Sequence, residues 1–384
     1  MWISYIDWPG TQKDPNLQKK SLVKMLDEFK RLNFNAVIFH TRVESDAVYK
    51  SDIEPWSRQL TGIQGRDPGY DPLDFIVKEA HKRGMELHAW INPYRVNISK
   101  KCSGGFPNAN KHISKTRPEW ILNIKMSDNN GCYKMLNPGI PEITDYISDI
   151  TQDIVKKYNI DGIHFDDMFY PYPFKDFKGI TWEDKETFIK YKKGNISIKD
   201  WRRRNVNQLI RQVNAGIKKI KKHVRFGVSP FGIWQNEIPK GIKGMSAYDV
   251  IYSDAMTWLE DNSIDYLAPQ LYWKIGGRPD YEKLLSWWGQ KVKQAQKHIY
   301  PGQIIYYIKP EGKKGRKTNL IAKPETSKDI LDQVNLNREN RDINVLGNTF
   351  YRAVNIQKHI LGSDQFKNKL IKGLYATPAL PWVV

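Results

Sequence analysis

Short apolar runs alternate with longer stretches in which apolar residues return every third or fourth position, over nearly the whole chain. The runs read as strands: WISYID (Trp2–Asp7), AVIFHTR (Ala36–Arg42), MELHAWINPYRV, IDGIHF from Ile160, VRFGV, IDYLAPQLYW, QIIYYI and NVLGNTFYRA. Between them lie amphipathic stretches such as LVKMLDEFKRLN, PLDFIVKEAHKRG and ETSKDILDQVNLNREN, and Gly84 stands where a helix C-cap is favoured. Eight strands alternating with helices predict an α/β protein built as a (β/α)8 TIM barrel with extended βα loops, rather than a doubly wound sheet. No glycine-rich nucleotide fingerprint or P-loop occurs in a strand–helix context. The span 1–384 reads as one barrel domain, with a loop excursion over 97–141 and an apolar C-terminal segment, 354–384, packed on the barrel.

Composition changes this picture little. At 40% hydrophobic and 27% charged over 384 residues, the chain has material for a sizeable core. No run of about 18 apolar residues offers a membrane span. WISYID lacks the features of a secretory signal, which leaves an anchor region upstream of the strand as an expectation. The net charge of +19 is spread over helical faces such as VNAGIKKIKKHVR, with a denser run, EGKKGRK (Glu311–Lys317), in a loop. No nucleic-acid recognition motif accompanies it, so the charge points to an anionic polymer or envelope surface and not to nucleic acid. Cys102 and Cys132 lack zinc-ligand spacing and flank one loop region; whether they pair is left open.

Chemistry concentrates at the predicted strand ends, where a barrel gathers its βα loops. The first strand ends in Asp7; the second runs into His40, Arg42, Glu44 and Asp46. The third offers His88, Trp90, Asn92, Tyr94 and Arg95; the fourth His164, Asp166, Asp167 and Tyr170. The fifth leads to Trp234, and the sixth to Gln270, Tyr272 and Trp273. Period-two alternation puts His88, Trp90 and Asn92 on one face, and His164 with Asp166 on another. Each histidine also has a plainer reading as an interior residue linking strands, and each tryptophan as core or rim packing. The histidines sit on separate strands without a ligand motif, so neither metal nor cofactor is expected. Aromatic faces at strand ends suit sugar rings. Glycoside hydrolysis usually needs one protonated and one ionised carboxyl group, and two neighbouring acids push their pKa values apart. Asp166, in phase with His164, is the first choice. Adjacent strand side chains diverge, so Asp167 either joins it where the chain turns at Met168 or braces Arg42, Arg95 or Tyr172. Asp161, at the strand's start, reads as structural.

WISYID, ELHAWINPYRV, MLNPGIPEITDYI, DGIHFDDMFYPYP, GVSPFGIW and LAPQLYW together resemble the bacterial glycosyl hydrolase-like 10 family, in order and over nearly the whole chain. The resemblance implies a barrel enzyme of the cell envelope, periplasmic or surface-located and often lipid-anchored; one member is a divisome-localised glycosidase of peptide-free peptidoglycan strands. The implied partner is a glycan strand containing N-acetylated sugars, met by a monomer with no transmembrane span of its own. A looser likeness joins the chain to chitinase-type barrels, with Asp161 and Asp166 in their fourth-strand pattern and Gln270–Tyr272 where their Met-x-Tyr stands. Here His164 replaces that pattern's middle Asp, and Met168 replaces its acid Glu. The acid must then come from Asp167, Glu44 or Asp46. Substrate-assisted cleavage would use Asp166 to orient an acetamido group, with Tyr272 in support. A conventional pair would set Asp166 as nucleophile against Glu237. Substrate contacts are expected from Asp7, His40, Arg42, His88, Trp90, Asn92, Tyr94, Arg95, His164, Tyr170, Trp234, Gln270 and Trp273. The competing readings are a glycan-binding barrel that lacks a second carboxylate, and a metal-dependent hydrolase built on His88 or His164.

Overall fold

The computed structural model describes residues 1–99, 108–125, 132–173, 180–305, 308–309, 323–357 and 361–379. Its strands are β1 (Trp2–Ile3), β2 (Ala36–Arg42), β3 (Glu86–Ile91), β4 (Arg95–Ser99), β5 (Ile121–Lys125), β6 (Cys132–Leu136), β7 (Gly162–Phe165), β8 (Thr181–Glu183), β9 (Arg225–Val228), β10 (Tyr266–Leu267), β11 (His298–Ile299), β12 (Gly302–Ile304) and β13 (Thr349–Tyr351). A curled seven-stranded sheet runs β1-β2-β3-β7-β9-β10-β11, every ladder parallel. β12 and β13 form a separate parallel pair. Helices flank the sheet, so the architecture is α/β and TIM-barrel-like.

The sequence predicts one closed ring of eight strands; among the described residues the ladders divide into two. Prolines stand at the gap, Pro269 just after β10 among them. Pro301 stands between β11 and β12, and a residue without an N–H interrupts a ladder. The two pieces still touch: Ala353 N–H donates to Trp2 O at 3.0 Å, and Gln270 bridges to Gly302.

The helices begin where the sequence supplies caps. Asp14 accepts from Leu17 N–H ahead of Pro15–Arg31, and Asp71 accepts from Leu73 and Asp74 N–H ahead of Pro72–Lys82, each helix with proline at its first position. Thr326 and Asp329 form a reciprocal capping box on Ser327–Glu339. Strand residues Ile3, Val37, Phe39, Leu87, Ala89 and Ile163 join the helices in the main core. Alternate positions, Trp2, Ile38, Trp90, Tyr266 and Ala268, form a second cluster within the curl. Two glycines make room for it. A Cβ on Gly162 would lie 2.4 Å from the His88 ring, and one on Gly227 would lie 2.0 Å from the Tyr266 ring.

The excursion expected to be loop is partly sheet. β4, β6, β5 and β8 pair antiparallel, joining the chain after β3 to the chain after β7. Pro93 separates β3 from β4, which the sequence pattern runs together as one strand. Cys102, the Cys132 side chain and the EGKKGRK run lie outside the described residues. At the other end of the chain, Tyr375 packs against Phe34 and Phe350, and Asn33 Nδ2 donates to Tyr375 O at 2.6 Å. A cavity of about 950 Å³ opens at this pole, among the strand starts, lined by Glu86, His88, Arg225, Tyr300 and Tyr375. No helix among the described residues is long and apolar enough to cross a membrane.

Candidate active site

β7 ends at Phe165 and the chain bends at Asp167, so period-two divergence stops applying where it matters. Asp166 and Asp167 are both buried, in unlike surroundings. Asp166 is held from three directions. Its Oδ2 accepts from Trp90 Nε1 at 3.0 Å and Asn92 Nδ2 at 2.9 Å, and its Oδ1 accepts from Met168 N–H at 3.2 Å. Burial pushes its carboxyl above the ordinary value, opposed by the charge of Arg95 and by these donors. Asp167 has fewer friends. Burial first, and the neighbouring charge of Asp166 second, push it up to about 7, opposed by the Gln270 side chain. Its Oδ2 has no hydrogen-bond partner among the described residues. Gln270 itself is fixed by donating Nε2 to Ser229 O at 3.0 Å. One carboxyl is thus a pinned acceptor and the other a group able to carry a proton near neutrality, the division that acid–base work on a glycosidic bond requires.

The model of the family described as glycosyl hydrolase-like 10 matches residues 1–318. The chain belongs to the glycosyl hydrolase-like 10 family. Glycosyl hydrolase YngK of Bacillus subtilis (strain 168) is 38% identical over all of this chain and 73% of its own length. Glycosyl hydrolase DigH of Escherichia coli (strain K12) is 38% identical over 80% of this chain and 72% of its own. The glycoside hydrolase domain of PgaB (BpsB) from Bordetella bronchiseptica shares the fold, with a TM-score of 0.56 over 96% of this chain and 97% of that one at 12% identity. As a member of the glycosyl hydrolase-like 10 family the chain is a glycoside hydrolase, acting on a carbohydrate, and the strand-end cluster is its candidate catalytic centre.

Within this family member the structure sorts the expected site residues. Trp90, Asn92, Arg95, Gln270 and the two aspartates come together; His40 adjoins them by stacking on Trp90 with ring centroids 3.8 Å apart. Burial and the Arg95 charge lower the His40 pKa, so it is neutral. Trp90 donates to Asp166, and one face of its indole is covered by the His40 ring. Trp273 packs edge-on to Phe231, and Tyr272 stacks on Tyr351, both half-buried near β10.

Other expected residues are placed elsewhere. Arg42 is fully buried, its guanidinium committed to Glu54 at 2.7 Å and to Asn92 O and Pro93 O, so no donor is left for substrate. Asp7 accepts from the N–H and hydroxyl of Ser4 and from Val354 N–H, tying β1 to the chain after β13. Glu44 is buried beside Arg58 at 3.7 Å. Glu237 stands exposed on a turn, lowered in pKa by Gly241 N–H and by Lys243, and faces solvent. Trp234 packs between Tyr248 and Trp287, against helices. Tyr94 and Tyr170 are fully buried, Tyr170 against Trp182 and Tyr252.

His88 and His164 belong to a hydrogen-bonded chain through the curl. Trp2 Nε1, a donor only, lies 3.3 Å from His164 Nε2, which makes that nitrogen the acceptor and Nδ1 the N–H. Nδ1 faces the Tyr266 hydroxyl at 3.0 Å; that hydroxyl then donates to His88 Nδ1 at 2.8 Å, and His88 Nε2 faces Glu86 at 3.3 Å. Both histidines link strands, and His88 lines the cavity at the far pole. Among the described residues no three His, Cys, Asp or Glu side chains group to hold a metal ion.

Tyr133 escaped the sequence reading, and Tyr172 entered it only as a residue that Asp167 could brace. Tyr133 of β6 accepts from Tyr172 N–H at 3.1 Å, and its pKa is raised by burial, with the charges of Asp166 and Asp167 adding and Arg95 opposing. Tyr172 is raised likewise, by burial and then by Asp167. Tyr133 sits in an excursion that reads as loop, so nothing in its spacing connects it to a strand end; the YPYP run offers a faint signal for Tyr172.

Proposed function

We propose that this enzyme hydrolyses an N-acetylhexosamine-containing glycan of the bacterial envelope, such as peptide-free peptidoglycan, with Asp167 as proton donor and Asp166 as the ionised partner. The observation that supports it is the unlike environment of two adjacent buried carboxyls. A carboxylate offers about four acceptor positions. Three on Asp166 are taken by Trp90, Asn92 and Met168, which leaves one for a substrate acetamido N–H.

The reaction then runs as substrate-assisted retention. The acetamido carbonyl oxygen closes on C1 as the C1–O bond breaks, and the departing oxygen takes the Asp167 proton. Asp166 holds the acetamido N–H and balances its growing positive charge. Asp167, now ionised, takes a proton from water as that water opens the ring at C1, which restores the acid. The net charge of +19 suits an enzyme working at an anionic envelope surface.

Peptide-free peptidoglycan strands, chitooligosaccharides and α- and β-glucans, with product masses read out, test the proposal. Wild type is expected to cleave strands containing N-acetylated sugars and to spare the glucans. Asp166→Asn and Asp167→Asn are each expected to lose on the order of 100-fold or more in rate. Cleavage by both variants at the wild-type rate would overturn the assignment.

A further inference from the structure

We propose that Arg95 is the positioning residue of the carboxyl pair: it contacts two of the three residues that donate to Asp166, and its charge keeps that carboxylate, rather than Asp167, in the ionised state. The inference rests on the reading of the aspartate pair given above and adds to it the group that makes the two acids unequal.

Arg95 touches the cradle of Asp166 from two sides. Its backbone N–H donates to Asn92 Oδ1 at 2.9 Å, and the Nδ2 of the same amide donates to Asp166 Oδ2 at 2.9 Å. An amide side chain has one acceptor end and one donor end, so fixing the first fixes the second. Its Nη1 faces Met168 Sδ at 3.7 Å, and Met168 N–H donates to Asp166 Oδ1 at 3.2 Å. Both oxygens of Asp166 are therefore held through residues that Arg95 contacts. The guanidinium is anchored behind them by Nε donating to Val43 O at 2.8 Å, at the end of β2. Its Nη2 is buried without a hydrogen-bond partner among the described residues, so the cation is not neutralised by a direct ion pair. Met168, where chitinase-type barrels carry their acid, becomes here a sulfur contact for that cation.

Among the described residues few groups face this corner. His40 comes from β2 and is neutral; Tyr5 lies under the guanidinium, 5.5 Å from carbon to ring centroid. Tyr133 from β6 and Tyr351 from β13 feel the same charge and are raised by burial. Asp166 and Asp167 supply the negative side. Among the described residues Arg95 is the positive charge that acts on Asp166, and a cation beside one of two coupled acids decides which of them ionises first.

Arg95→Met and Arg95→Gln remove the charge, and Arg95→Lys keeps it without the planar fork. The Asp166 carboxyl carbon is followed by NMR against pH in protein labelled at aspartate, its signal identified by its loss in Asp166→Asn; kcat and KM on N-acetylated glycan strands are measured alongside. In the neutral variants the Asp166 titration is expected to move to higher pH, carrying the acid limb of kcat/KM with it. Their kcat should fall on the order of tenfold or more while KM changes little, and Arg95→Lys should return the titration most of the way. A folded neutral variant in which Asp166 titrates as in wild type would overturn the proposal; Arg95→Gln supplies that reading where Arg95→Met does not fold. Wild type that cleaves no N-acetylated glycan, with the titration still displaced in the neutral variants, would defeat the proposed reaction and leave the role of Arg95 standing.

Discussion

Asp166 and Asp167 are neighbours in sequence and both lie out of water, yet three donors converge on the first and the second keeps an oxygen unpaired. That imbalance has a consequence for stability. The Asp167 carboxyl stands near 7 in the folded protein against an ordinary value of 3.8, so between those values the folded state holds a proton the unfolded state has lost. Stability linked to this group is therefore present at low pH and declines as pH rises towards 7. Asp167→Asn, which cannot ionise, is expected to be more stable than wild type at pH 8, by roughly 1–4 kcal/mol, and to lose that advantage near pH 4. Urea unfolding at the two pH values checks it; a difference that does not change with pH would show that Asp167 ionises freely. Arg42 teaches the opposite lesson at the same scale. Placed by sequence at a strand end and counted among the substrate contacts, it is instead half of a fully buried pair with Glu54, a residue whose position in the chain announces nothing.

At the scale of elements, the strand that carries the aspartates depends on glycine beneath them. Gly162 and Gly227 leave room for the His88 and Tyr266 rings, whose hydrogen-bonded chain runs from Trp2 to Glu86. Gly227→Ala is expected to destabilise the protein by about 1–3 kcal/mol, because the added methyl must displace an aromatic ring held at both sides of its hydroxyl. Thermal unfolding reads this, and a melting temperature unchanged from wild type would mean that the curl is loosely packed. Much of this level was legible. Alternating runs marked the strands, and caps such as Asp14, Asp71 and Thr326 marked helix starts. What escaped was length. The WISYID run forms a ladder only at Trp2–Ile3, because Asp7 turns back to Ser4 and ends the extended chain. The excursion after β3 read as loop because its strands pair with one another and with β8, a contact between segments that no local pattern encodes.

Across the whole molecule, the sequence supports a barrel-like enzyme with chemistry at one pole, and the fold keeps that polarity. The aspartate pair lies past the strand ends, and the cavity lined by Glu86 and His88 lies among the strand starts. The legible part of the site was the cluster of Trp90, Asn92, Arg95, Asp166, Asp167 and Gln270, because strand order and alternation bring them to one end. The illegible part was assignment within the cluster. Trp234 and Glu237 follow β9 in the chain, yet one packs against helices and the other faces solvent. In the proposed reaction Asp167 delivers the proton while Asp166 stays charged. Replacing the natural leaving group by nitrophenolate, which departs without protonation, separates the two roles. The measurement is kcat/KM of Asp167→Asn relative to wild type, on N-acetylhexosamine strands and on their nitrophenyl glycosides. The loss is expected to be on the order of 100-fold or more on the natural strand and about tenfold or less on the nitrophenyl substrate. An equal loss on both substrates would contradict Asp167 as the acid.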